Sequence, residues 1–108
     1  PAEQIARSLD AQFACGVTRL FPTVITGPEE NITACLRNLT RAKATIQNGG
    51  AMEGFHVEGP HISPDDGPRG AHPRQFVRKP SIDEYKRWQD AAAGQVKLVT
   101  VAPEWPEA

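Results

Sequence analysis

Histidines at positions 56, 61 and 72, a glutamate at 58 and basic residues at 69, 74, 78 and 79 all fall within one run, GFHVEGPHISPDDGPRGAHPRQFVRKP, from Gly54 to Pro80. Imidazoles and carboxylates at this density are the side chains that bind divalent cations, carry protons and polarise carbonyl groups. The run begins as a strand and turns at Gly59-Pro60. Successive strand side chains face opposite ways, so Phe55 and Val57 share one side while His56 and Glu58 share the other. A carboxylate buried on such a sheet costs several kcal/mol unless it is paired, hydrogen-bonded or bound to a metal. Glu58 is also the last residue before the turn, where a barrel or open α/β sheet exposes its catalytic edge.

Position alone leaves alternatives open for each of these residues. Glu58 reads either as a metal ligand or as the partner of a nearby Arg or Lys in a βα loop. His56 faces the same way and could coordinate or hydrogen-bond within the site, or serve as a core histidine that orients Glu58 or a backbone carbonyl. His61, just past the turn, reads as a solvated loop histidine. His72, preceding Pro73, reads by itself as a turn residue. Arg69, Arg74, Arg78 and Lys79 would suit a phosphate, although a flexible, solvated loop explains most of them.

The elements that must position these groups alternate along the chain. Ile5, Leu9 and Phe13 recur four apart from Ala2 to Ala14 and predict a helix stopped by Gly16. Val17 to Ile25 is dense in β-branched and apolar residues and predicts a buried strand, with Pro22 near its end, at a bulge or on an unpaired edge. Gly27-Pro28-Glu29-Glu30 opens a second helix, with Ile32, Cys35, Leu36, Leu39 and Ile46 as its apolar stripe and Gly49-Gly50 as its stop. Met52 to Glu58 is the second strand. After the long Gly59 to Lys79 loop, Ser81 and Glu84 predict a capping box that starts a helix with an apolar face of Ile82, Tyr85, Trp88 and Ala92. Gly94 ends it, and Val96 to Ala102 is the third strand. The order α, β, α, β, α, β implies right-handed crossovers and a parallel sheet.

With 108 residues, the chain can form one modest domain but falls short of a complete (β/α)8 barrel, which needs roughly 200 or more. It therefore reads as a piece of a larger protein. Apolar residues at 39 % and charged residues at 23 % are ordinary for a soluble domain. A net charge of −1 provides no broad field for nucleic acid or an anionic membrane. No apolar run approaches the roughly 18 needed to span a bilayer, and the first residues lack a signal peptide's pattern; a cytoplasmic location is expected. Cys15 and Cys35 lack metal-ligand spacing and are expected to be small buried apolar side chains.

His56-Val57-Glu58-Gly59-Pro60, followed by Arg69-Gly70-Ala71-His72-Pro73 and Phe76-Val77-Arg78-Lys79-Pro80, resembles the N-acetylglucosamine-6-phosphate deacetylases of the amidohydrolase superfamily. Phe21-Pro22-Thr23-Val24-Ile25-Thr26 and Thr100-Val101-Ala102-Pro103-Glu104 extend the resemblance across nearly the whole chain. It implies that residues 1–108 are part of a metal-dependent (β/α)8 TIM barrel, about three parallel strands with intervening helices, whose N- and C-terminal portions lie outside the chain. It further implies hydrolysis of the acetamide of N-acetylglucosamine 6-phosphate to glucosamine 6-phosphate and acetate. By the same resemblance Glu58 ligates a divalent metal, zinc or alternatively iron, and His56 supports it. Ala71 and His72 contact the amino sugar, and His72 takes a catalytic part by polarising the acetamide carbonyl. The resemblance also implies further histidine ligands and a catalytic aspartate beyond residue 108, phosphate contacts largely from later segments, and a homodimer in the full-length enzyme. The isolated chain is expected to be inactive. The competing expectations are another amidohydrolase acting on a different N-acetyl sugar or amide, and a non-catalytic truncated module.

Overall fold

A computed structural model of the chain describes residues 2–108. Helix α1 (Ala2–Ala14) leads into strand β1 (Thr23–Ile25), α2 (Glu29–Thr45), β2 (Phe55–Glu58), α3 (Ile82–Ala91) and β3 (Val96–Thr100). Short 3-10 turns lie at Gly49–Ala51 and Arg74–Phe76. The strands form one parallel sheet in the order β1-β2-β3. The α/β architecture therefore follows the predicted alternation of elements.

The strands are shorter than their apolar runs. Leu20 pairs with Met52 only as an isolated bridge. Pro22 has no N–H to donate, so the ladder resumes as β1 beyond it, while its carbonyl accepts from His56 N–H at 2.9 Å. On β3 the partners of Phe55 and His56 are Val96 and Leu98, so Lys97 is an extra residue that bulges out of register. That bulge restores the alternation: Val96 turns towards the helices, whereas Leu98 and Thr100 join His56 and Glu58 on the opposite face.

One face of the sheet carries the core. Val24, Phe55, Val57 and Val96 pack with Leu9 of α1, Ile32, Leu36 and Ala42 of α2, and Trp88 of α3, all of them buried. The other face holds Thr23, Ile25, His56, Glu58, Leu98 and Thr100. Among the described residues no helix covers it: Ile25 is 58 % and Leu98 50 % exposed. In a barrel this face would look inward.

Three expectations about side chains need correction. Cys15 and Cys35 are exposed free thiols; Cys35 stands at the margin of the α2 stripe, beyond the arc that Ile32 and Leu36 fill. Ile82 is 67 % exposed because α3 buries the arc centred on Trp88 and Ala92 instead. Ser81 does cap α3 by accepting from Glu84 N–H at 3.2 Å. The Glu84 carboxylate, however, turns to Arg78 rather than back to the cap, so only half of the predicted box forms.

Candidate active site

Glu58 and His72 meet at the C-terminal mouth of β2. The Nε2 of His72 lies 3.5 Å from Oε1 of Glu58. The glutamate side chain is 39 % exposed on the uncovered sheet face, and no Arg or Lys forms a salt bridge with it among the described residues. His72 is the less accessible partner, at 19 %. Ala71, one residue earlier, is exposed at the same turn.

Closure of the loop explains how a residue fourteen positions after Glu58 returns to it. Arg78 N–H donates to Pro60 C=O at 3.1 Å, and the His61 ring Nδ1 lies 3.2 Å from Arg78 C=O. The two ends of the loop are thereby tied together, as in a compact Ω-loop. The strand exits through Gly59, whose φ of +77° places it in the left-handed region and whose missing Cβ makes room for Thr26 Oγ1. That hydroxyl lies 3.3 Å from Glu58 C=O and 2.9 Å from His72 Nδ1.

His56 is engaged elsewhere on this face. Its Nδ1 lies 3.0 Å from Thr23 Oγ1 on β1 and its Nε2 2.8 Å from Thr100 Oγ1 on β3. It thus staples all three strands and makes no hydrogen bond to Glu58 among the described residues.

His61 is not a solvated loop residue, contrary to expectation. It is 3 % exposed and stacks on Trp88 with ring centroids 5.3 Å apart, because α3 closes over the start of the loop. Its Nε2 has no hydrogen-bond partner among the described residues and faces Glu84 Oε2 at 3.8 Å. Arg78 likewise departs from the picture of a flexible solvated loop. It binds the buried Glu84 carboxylate through two nitrogens and also donates to Gly27 C=O and Phe76 C=O. Arg69 is spent within its own turn, donating to Pro64 C=O at 3.0 Å and to Asp66 at 2.5 Å. The Arg69 guanidinium holds the Asp66 carboxyl below the usual carboxylate range, chiefly by that hydrogen bond. Arg74 is exposed, and Lys79 reaches Glu107 at 3.3 Å.

A carboxylate and an imidazole are suitable donors for zinc or another divalent ion. Among the described residues no cluster of three or more His, Cys, Asp or Glu side chains gathers at one point. Glu58 and His72 by themselves fall short of a catalytic zinc site, which takes three protein ligands and one open position. Sequence reasoning missed Thr23, Thr26 and Thr100. Their places depend on strand register, which a hydrophobic pattern in three short strands does not determine.

No protein-family model matches the chain. Known proteins do match it individually. N-acetylglucosamine-6-phosphate deacetylase of Bacillus subtilis is 37 % identical over 92 residues, covering 82 % of this chain and 23 % of that protein. The enzyme of the same name from Caenorhabditis elegans is 37 % identical over 95 residues, covering 85 % of this chain and 22 % of its own length. A crystal structure of N-acetyl-D-glucosamine-6-phosphate deacetylase from Mycobacterium smegmatis superposes with a TM-score of 0.70 at 33 % identity, over 82 % of this chain and 22 % of that one. A variant of that enzyme in complex with N-acetyl-D-glucosamine-6-phosphate superposes equally well. The chain thus spans under a quarter of the length of the relatives it matches, and its three parallel strands and helices are a segment of the barrel fold.

Proposed function

From the homology of this chain, over 82 % of its length, to a segment of the N-acetylglucosamine-6-phosphate deacetylases, we propose that it contributes one wall of the active site of such an enzyme. The reaction is hydrolysis of the acetamide of N-acetylglucosamine 6-phosphate, releasing acetate and glucosamine 6-phosphate. The observation that carries the reading is the meeting of Glu58 and His72 at 3.5 Å on the mouth of β2, within the segments that resemble those enzymes.

In this reading Glu58 is one ligand of a divalent metal, zinc or alternatively iron, with the remaining ligands supplied by residues outside this chain. Such an ion, when bound, lowers the pKa of a water molecule so that hydroxide is available near neutral pH. The exposure of Glu58 on the uncovered face and the lack of an Arg or Lys partner among the described residues suit that task, because a carboxylate already neutralised by arginine is a poorer ligand. Ala71 and His72 contact the sugar. In the same reading the His72 ring donates a hydrogen bond to the acetamide carbonyl, and a donor aimed at the developing oxyanion contributes a few kcal/mol to catalysis. His56 supports the site by fixing the strand that carries Glu58. The working enzyme is a cytoplasmic homodimer.

The test uses protein from the complete reading frame that contains this segment. Acetate release is expected from N-acetylglucosamine 6-phosphate and should be much weaker from N-acetylglucosamine lacking the phosphate. Glu58→Gln should reduce both bound metal and turnover. Equal rates with and without the phosphate would overturn the substrate assignment. Full metal content in a folded Glu58→Gln protein would overturn the ligand assignment.

A further inference from the structure

Strand register sets the neighbours of Glu58 at the mouth of the sheet. Ile25 of β1 stands level with it on one side and Thr100 of β3 on the other, and all three side chains share the uncovered face. Adjacent strands lie about 4.8 Å apart, so each flanking side chain is one strand spacing from the carboxylate. The two flanks differ in kind. Thr100 is polar, and its hydroxyl lies 2.8 Å from Nε2 of His56. Ile25 offers only hydrocarbon and is 58 % exposed. The ring of His72 leans to that apolar flank: it lies 2.9 Å from Oγ1 of Thr26, the residue after Ile25, and 3.5 Å from Glu58. It thus spans the ends of β1 and β2.

We infer that Ile25 is a specificity-determining residue: it forms the wall against which the acyl methyl group of the substrate rests, and so restricts the site to short acyl chains. The inference deepens the proposed function and rests on its reading that His72 holds the acetamide carbonyl. The first acyl carbon is bonded to the same carbon as the carbonyl oxygen, so the two lie about 2.4 Å apart. Once the ring of His72 fixes that oxygen over the ends of β1 and β2, the methyl group has little choice of place. Beside Ile25 it leaves water for an apolar contact, which is favourable in proportion to the area covered. A β-branched side chain is stiff at χ1, so this wall yields little to a longer acyl chain. Leu98 is also aliphatic and exposed on the same face, but it stands level with His56, two residues deeper than Thr100.

The experiment compares kcat/KM for the N-acetyl, N-propionyl and N-butyryl forms of glucosamine 6-phosphate, with protein from the complete reading frame. The unsubstituted protein should favour acetyl over propionyl by about tenfold or more, the scale of one methylene in an apolar pocket. Ile25→Ala should raise the propionyl-to-acetyl ratio by about the same factor, and Ile25→Val should raise it less. Leu98→Ala should leave the ratio where it was. A general loss of structure lowers all three rates together and does not move their ratio. An unchanged ratio in an active Ile25→Ala protein would overturn the inference and leave the deacetylase reading standing, as would an unsubstituted protein that cleaves the propionyl amide as fast as the acetyl one, or a shift produced by Leu98→Ala instead. If Ile25→Ala is inactive, Ile25→Val decides by the same ratio. An unsubstituted protein that releases no acetate from N-acetylglucosamine 6-phosphate overturns the proposed function, and this inference with it.

Discussion

Arg78 clasps Glu84 across the base of the loop that carries His72, with Nε 3.0 Å from one carboxylate oxygen and Nη2 bound to the other. The carboxylate is only 4 % exposed, whereas the arginine is 31 % exposed. This asymmetry fixes which partner is costlier to remove. Arg78→Leu strands a buried carboxylate and should cost about 3–5 kcal/mol, the range for breaking a buried pair from one side. Glu84→Gln keeps the shape and an acceptor and should cost about 1–3 kcal/mol. Urea unfolding of both variants checks the order; an Arg78→Leu protein no less stable than Glu84→Gln would contradict it.

Gly59 and Gly67 separate backbone strain from crowding. Both have positive φ, +77° and +93°, but a Cβ at Gly67 meets nothing within 4 Å whereas one at Gly59 collides with Thr26 Oγ1. Gly67→Ala should therefore lose only the conformational term, about 1–2 kcal/mol. Gly59→Ala adds an overpacking cost of about 1–3 kcal/mol. It should also push Thr26 away from His72, lowering turnover in the complete enzyme. Equal losses of stability in the two variants would show that Thr26 yields freely.

Much of this arrangement was legible because local signals agreed with one another. The four-residue spacing of Ile5, Leu9 and Phe13, the Ser81 cap and the β-branched runs each named an element, and the alternation of Phe55 and Val57 with His56 and Glu58 sorted the two faces of β2 correctly. What stayed hidden depends on contacts between distant residues. His61 is buried because Trp88 of α3 lies over it, and the loop's own composition is polar enough to suggest solvent. Arg78 looked like one of four similar basic residues until the fold brought Glu84 against it. Thr26 carried no signal of its own, since a threonine at a strand end is ordinary until the register of β1 against β2 is known.

Glu29, at the start of α2, accepts from Arg87 of α3, and this hydrogen bond is the main reason its pKa is lowered. A lowered folded pKa stabilises the protein above the ordinary glutamate value, about 4.3, and the gain is lost as pH falls through the lower folded value. The pair is solvent-accessible, with side-chain exposures of 52 % and 34 %, so its worth is small. Arg87→Met should thus reduce stability at neutral pH slightly, and the gap from the unsubstituted protein should close in strongly acidic buffer. Thermal melts at low salt across that range measure it; a gap that widens on acidification would reverse the sign argued here.

His56 has both ring nitrogens committed, one to Thr23 and one to Thr100. A nitrogen can ligate a metal only through a lone pair free of other partners, and a neutral imidazole has one such lone pair, here used as an acceptor or lost to a second proton. His56 is therefore predicted to brace the sheet and not to ligate the metal of the proposed site. His56→Phe removes two hydrogen bonds between half-exposed groups that water can replace, so the expected loss of stability is about 1–2 kcal/mol. Bound metal per chain in the complete enzyme should remain at its original level in His56→Phe but fall in Glu58→Gln. Elemental analysis of the two purified proteins measures both quantities, and loss of metal from a folded His56→Phe variant would make the ring a ligand after all, with one of its threonine bonds exchanged for the ion.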